Sequence, residues 1–148
     1  MRKRAIQTLA LISLVLSTAA SWADDAVVLV TYGNSPIEEI SSLDIRKAYL
    51  GISVSVGGNS IRPIRRREGE RLNKIFMQSV IAMSLKSYER RLLSMMLKYG
   101  TPRPIEVDNR EELLRQLMIN PGAIAYMWKS EADEDLRVRV IRVLWEEH

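Results

Sequence analysis

The sequence predicts an α/β domain built on one small mixed sheet flanked by helices. Three observations predict it. Two short apolar runs, Ala26–Thr31 (AVVLVT) and Ala123–Trp128 (AIAYMW), have the length and β-branched or aromatic content of buried strands. Segments with apolar residues at helical spacing, several with capping signals, separate those runs. Near the end, Arg137–Trp145 (RVRVIRVLW) opens with strict alternation, the signature of a strand with one face toward solvent.

The chain opens Met1-Arg-Lys-Arg4, runs apolar from Ala5 to Ala20, and reaches Ser21-Trp22-Ala23. A basic start, a short apolar stretch and a small-x-small site form an export leader, with cleavage expected after Ala23. An uncleaved N-terminal anchor is the alternative. The run is short and carries Gln7, Thr8, Ser13 and Ser17, which argues against a full membrane span. The expected organisation is a leader over 1–23 and one domain over 24–148, placed in the periplasm.

Charge reads differently once the leader is set aside. The chain has 22 Lys+Arg against 18 Asp+Glu. Loss of Arg2, Lys3 and Arg4 leaves 19 against 18, a formal +1. A nucleic-acid partner needs a basic face on the mature domain, and overall charge offers none. There is no cysteine and one histidine, His148. Thiol chemistry is excluded, a multi-histidine metal site cannot be assembled, and a Ser-His-Asp triad would depend on that single residue. No metal, no cofactor and no enzymatic activity are expected. The adjacent pairs Glu38-Glu39 and Glu111-Glu112 do not face each other on a helix, so they are read as solvated.

Along the chain, the first strand ends near Gly33-Asn34-Ser35-Pro36. Ser41-x-x-Asp44 has capping-box spacing, followed by Ile45, Ala48 and Tyr49 on one helix face and Gly51 as the stop. Ser53–Ser60 is a polar connection turning at Gly57-Gly58-Asn59. A β-like run, Ile61–Ile64, then enters a turn at Gly69. A helix is expected from Glu70 to Met83, carrying Leu72, Ile75, Phe76, Val80 and Met83 inward. Ser84 caps a second helix, Leu85–Tyr99, with Leu85, Tyr88, Leu92, Met95 and Met96 inward, and Gly100 ends it. Met83, Met95 and Met96 are read as core fillers rather than an adaptable surface. Thr101–Val107 is extended by its prolines. Asp108-x-x-Glu111 begins a helix that buries Leu113, Leu114, Leu117 and Met118. Asn120-Pro121-Gly122 is a turn, and Glu131–Asp135 an acidic surface loop. The last strand is expected to turn Val138 and Val140 in and Arg137 and Arg139 out, and its alternation slips at Ile141-Arg142, as a bulge or a two-sided burial requires. Tyr126 and Trp128 are expected to pack in the core.

The candidate site is the turn after Ile61–Ile64. Five arginines (Arg62, Arg65, Arg66, Arg67 and Arg71) surround Gly69. Arginine forks and the unpaired N–H groups of a following helix can capture an anion. The competing reading is a solvated turn in which Glu68 and Glu70 pair with those arginines. The expected ligand residues are Arg67, Arg71 and the backbone at Gly69 and Glu70. Thr31 and Ser35, at the end of the first strand, could face the same site, but ordinary loop capping is the favoured reading for both.

Three segments together resemble a known family. Ser42-Leu-Asp-Ile-Arg-Lys-Ala-Tyr-Leu-Gly51 is similar to the helix ending "I-R-x-I-F-L-G" of phosphate-binding proteins in the type 2 periplasmic solute-binding superfamily. Ile64–Phe76 resembles its "V-x-R-x-x-G-S-G-T-x-x-x-F" turn, with Arg67 standing near the family arginine. Asn120-Pro-Gly-Ala-Ile-Ala-Tyr126 resembles its "P-G-A-I-G-Y" strand. The likeness runs from about Val27 to Trp128 and is greatest to short, stand-alone phosphate-transporter substrate-binding proteins. It implies one lobe of a two-lobed fold, inorganic phosphate or a similar oxyanion as ligand, and an inner-membrane transporter or sensor as partner. Two departures bear on this. Glu68-Gly69-Glu70-Arg71 replaces the family's hydroxyl-bearing turn, setting carboxylates where an anion is expected. The chain is also too short for two ordinary lobes. The alternative is an accessory or sensory interaction module that keeps the fold without the ligand.

Overall fold

A computed structural model of the protein describes residues 25–148. The expected leader and its cleavage after Ala23 lie outside the described residues. The strands are β1 (Ala26–Tyr32), β2 (Ser55–Val56), β3 (Asn59–Ser60), β4 (Arg62–Arg66), β5 (Ile105–Val107), β6 (Ala123–Trp128) and β7 (Val138–Glu146). The helices are α1 (Ser42–Tyr49), α2 (Glu70–Phe76), α3 (Leu85–Tyr99), α4 (Arg110–Ile119) and α5 (Lys129–Asp133). Five strands form one mixed sheet in the order β5-β4-β6-β1-β7. β4 runs parallel to β5 and β6, while β1 is antiparallel to β6 and β7.

The sheet is covered on both faces, which is why its central strands read as unbroken apolar runs. Val27 and Leu29 of β1 join Ile124 and Tyr126 of β6 in one core with α1, α2 and α3. Val28 and Val30 join Ala123, Ala125 and Met127 in a second core under α4 and α5. In the first core Phe76 stacks on Tyr126 at 3.7 Å, and Tyr49 meets Phe76 edge-on at 4.8 Å. Tyr126 thus packs in the core as expected, with its hydroxyl donating to Asn73 Oδ1 at 2.6 Å.

Caps fall where the sequence places them, with one shift. Ser41 accepts from the Asp44 N–H and Ser84 from the Ser87 N–H, while Gly100 ends α3 at φ +65°. For α4 the cap is Asn109, accepting from Glu112 N–H, one residue beyond the expected Asp108. The polar connection is a hairpin, β2–β3, whose Gly57 and Gly58 both take positive φ as its two-residue turn demands. The extended stretch after Pro104 pairs as β5.

Five further readings are corrected. α2 stops at Phe76 and passes into a wider π turn, Met77–Ile81, so Met77 and Ile81 are buried as well, while Ile75, Val80 and Met83 of the expected stripe pack partly buried against the core. Leu85 and Met96 of α3 and Met118 of α4 are exposed. Met96 is therefore no core filler. Glu131–Asp135 is no loop: α5 covers most of it, with Ala132 and Asp135 buried. In β7 the inward and outward positions differ from simple alternation, because two extra residues, Ile141 and Leu144, interrupt its register with β1. Before the first bulge, Val140 is nevertheless exposed, while Arg139 on the other face donates to the Ser35 and Ile37 carbonyls.

Candidate functional site

β4 carries the site. Its residues alternate between the two faces of the sheet. Ile64 enters the α4/α5 core, and two residues on Arg66 follows it inward, only 7% exposed. Arg66 donates to Glu68 at 2.5 Å and to Glu131 of α5 at 2.8 Å. Glu131 also accepts from the Trp128 N–H at 3.0 Å. Arg65 points the other way, onto α3, with its guanidinium 4.8 Å from the Tyr88 ring centre and 3.1 Å from Glu89.

The turn itself places Gly69 at φ +84°, a left-handed conformation that favours glycine. No side chain caps the N–H groups that follow. Asn73 fixes the turn from inside: its N–H donates to Gly69 O, its Nδ2 to Glu68 O, and its Oδ1 accepts from Tyr126. Glu68 does not fold onto the turn, because Arg66 holds its carboxylate. Glu70 has no ion-pair partner among the described residues.

Arg67 and Arg71 leave the turn in different directions. Arg67 extends over the β5 side to Glu106 at 2.9 Å and Asp108 at 3.1 Å. Arg71 extends toward β6 and β7, lying 5.2 Å from the Trp128 ring centre and 3.3 Å from Glu147. The expected pair therefore does not converge. What converges is a groove of about 650 Å³ between the turn, α2 and the start of α3. Arg65, Arg67, Glu70 and Lys74 line it with Met77 and Met83, at the carboxyl ends of the parallel strands β4 and β5.

Thr31 and Ser35 are not part of this site. β1 is antiparallel to β6, and β6 is parallel to β4, so the carboxyl end of β1 lies at the opposite end of the strands from that of β4. Thr31 is fully buried, and Ser35 donates to Pro121 O at 2.8 Å and accepts from Ile37 N–H. Reasoning from sequence also missed Arg66, Asn73 and Glu131. Arg66 had a signal, since it continues the inward period of Ile64 and stands three residues before Gly69, as the family arginine does. Asn73 and Glu131 had none, because their partners are distant in sequence.

Electrostatically the turn is close to self-neutralised. Burial disfavours the charge on Arg66, and the hydrogen bonds from Glu131 and Glu68 more than compensate, raising its pKa. Burial also pushes the Glu89 carboxyl up, but hydrogen bonds to Arg103 and Arg65 outweigh it and hold Glu89 below the ordinary glutamate value. A lowered folded-state pKa stabilises the fold above the unfolded value, and that contribution disappears as pH falls through the lowered one. Acid titration of the folded protein is therefore expected to loosen α3 in the acidic carboxylate range, and Glu89→Gln to flatten that part of the stability profile. Urea midpoints measured across pH check this, and an unchanged slope in the variant contradicts it.

No family model matches the sequence, and no curated protein does. Solved structures do match. PstS from Borrelia burgdorferi is 18% identical with a TM-score of 0.56, over 79% of this chain and 46% of its own. An ABC-type phosphate transport receptor from Vibrio cholerae is 16% identical with a TM-score of 0.54, over 80% and 46%. A Clostridium perfringens protein, described as a phosphate ABC transporter substrate-binding protein with bound phosphate, is 21% identical with a TM-score of 0.58, over 80% and 44%. The chain spans just under half the length of the structures it matches. Over the matched stretch it shares their α/β fold, a mixed sheet flanked by helices.

Proposed function

We propose that the protein is an exported, periplasmic solute-binding module that takes a small oxyanion such as inorganic phosphate. It would pass the ligand or its signal to a membrane transporter or sensor. The observation that carries the reading is the position of the groove. Open α/β sheets take ligands outside the carboxyl ends of their strands. Here that place holds the cations Arg65, Arg67 and Lys74, beside the carboxylates of Glu70, Glu89 and Glu106. Arg67 is 63% exposed, and its pairs with Glu106 and Asp108 are of the weak, solvent-screened kind that a doubly charged anion can replace. The open wall keeps the anion partly hydrated, so millimolar rather than tighter affinity is expected.

One observation favours a second reading, an interaction module that keeps the fold without a ligand. Arg65, Arg66, Arg67 and Arg71 each already meet a carboxylate. Calorimetric titration with phosphate and with sulfate separates the two. The oxyanion reading expects heat at millimolar phosphate that disappears in an Arg67→Ala, Lys74→Ala double variant. Absence of heat, or heat that survives the double variant, leaves the second reading.

A further inference from the structure

α3 is a 15-residue helix that buries only Tyr88 and Leu92. Leu85, Leu93, Met96 and Leu97 remain 55%, 45%, 39% and 74% exposed. At roughly 100° per residue, the apolar arc from Met95 round to Leu97 covers roughly 200°, interrupted only by Lys86 and Glu89. A surface helix needs about half that to dock on its own domain. The uncovered half adjoins the groove at Leu85, beside Met77 and Met83.

The charge around this face differs from that of the Gly69 turn. Lys86 lies within it and Lys74 and Arg90 border it, and none of the three enters an ion pair among the described residues, nor do Arg91 and Lys98 on the far side of α3. The only carboxylate on α3, Glu89, is already held by Arg65 and Arg103. The face is thus apolar with an unneutralised basic rim.

We propose that this face docks an acidic amphipathic helix of a protein partner, whose apolar stripe covers Leu93, Met96 and Leu97 and whose carboxylates meet Lys86, Arg90 and Lys74. Flexible methionines suit such an adaptable surface. A second copy of the chain fits poorly, because the rims would set cation against cation. A bilayer fits poorly too, since a flat surface leaves the adjoining groove unfilled. The proposal does not rest on the oxyanion reading, and the phosphate and peptide titrations fail independently.

The test uses the full protein and a fluorescein-labelled peptide of about five helical turns with a leucine stripe and glutamates elsewhere. A matched peptide with lysines in place of the glutamates is the control. Anisotropy is expected to show salt-sensitive binding of the acidic peptide, weakened about tenfold or more by Leu93→Ser with Leu97→Ser. Lys86→Glu with Arg90→Glu is expected to reverse the preference toward the lysine peptide. All four residues are exposed, so thermal unfolding should be nearly unchanged. The proposal is overturned if the acidic peptide does not bind, or binds both variants as well as the parent. It is also overturned if phosphatidylglycerol vesicles bind the parent and not the leucine variant, or if sedimentation shows a dimer that the leucine variant abolishes.

Discussion

Gly122→Ala is expected to destabilise the domain by about 3 kcal/mol or more, and to prevent folding if the parent has little margin. A Cβ built at Gly122 would lie 1.9 Å from the Ser60 carbonyl oxygen and 3.0 Å from its carbon. Both atoms are backbone, so no rotamer change relieves the clash. The same glycine accepts a hydrogen bond from the Arg62 N–H at 2.9 Å, at the point where β4 and β6 first pair. Adding one methyl group therefore forces apart the two parallel strands that carry the candidate site. Gly33→Ala supplies the control. Its nearest atom outside its neighbours would be Arg137 O at 3.5 Å, an ordinary contact, and its φ is not positive. Chemical denaturation of both variants checks the contrast, and equal midpoints would refute it.

Arg66→Ala is expected to cost about 3–5 kcal/mol, because it strands the part-buried Glu131 beside the apolar face of α4 and α5. The loss is not simply that of two hydrogen bonds. Glu131 ties α5 to β6 through the Trp128 N–H, and Arg110 donates to its backbone carbonyl at 3.1 Å. A charge left without its counterion pulls water toward that junction. Arg66→Met combined with Glu131→Gln is expected to recover much of the loss, since glutamine keeps an acceptor for Trp128 and the uncompensated charge is gone. A double-mutant cycle reads this as a coupling between the two positions. A single-variant cost below roughly 1 kcal/mol would show that the pair is solvated rather than structural.

These two positions also show what the sequence made legible. The NPGAIAY segment was identifiable as a turn and a buried strand from its proline, glycine and apolar run. The reason for Gly122 itself was not, since the obstructing carbonyl belongs to Ser60. The β1 and β6 runs, the caps at Ser41 and Ser84 and the bulge at Ile141 are local signals, and each appears in the fold. The site was less legible. The arginine cluster around Gly69 was visible, but the direction of each guanidinium depends on strand alternation and on carboxylates from α3, β5, α5 and β7. Arg67 and Arg71 look adjacent in sequence and diverge in space. Whether Thr31 and Ser35 could reach the turn was not legible, because the direction of β1 relative to β4 depends on how β6 lies between them; Ser35 caps its loop, the favoured reading. The exposed half of α3 followed the same pattern: its periodicity gave a helix, and only the packing revealed how little of it is covered.

The sheet order has a consequence for time as well as space. Among the described residues β1 is the first strand in the chain, and it lies between β6 and β7, the last two. It gains no ladder partner until Ala123 has emerged and no second one until Val138. Long-range closures of this kind slow folding and deny the nascent chain an early nucleus. The two central strands of the sheet, β1 and β6, therefore join late, whereas the β2–β3 hairpin and the β4–β5 pair need nothing beyond Val107.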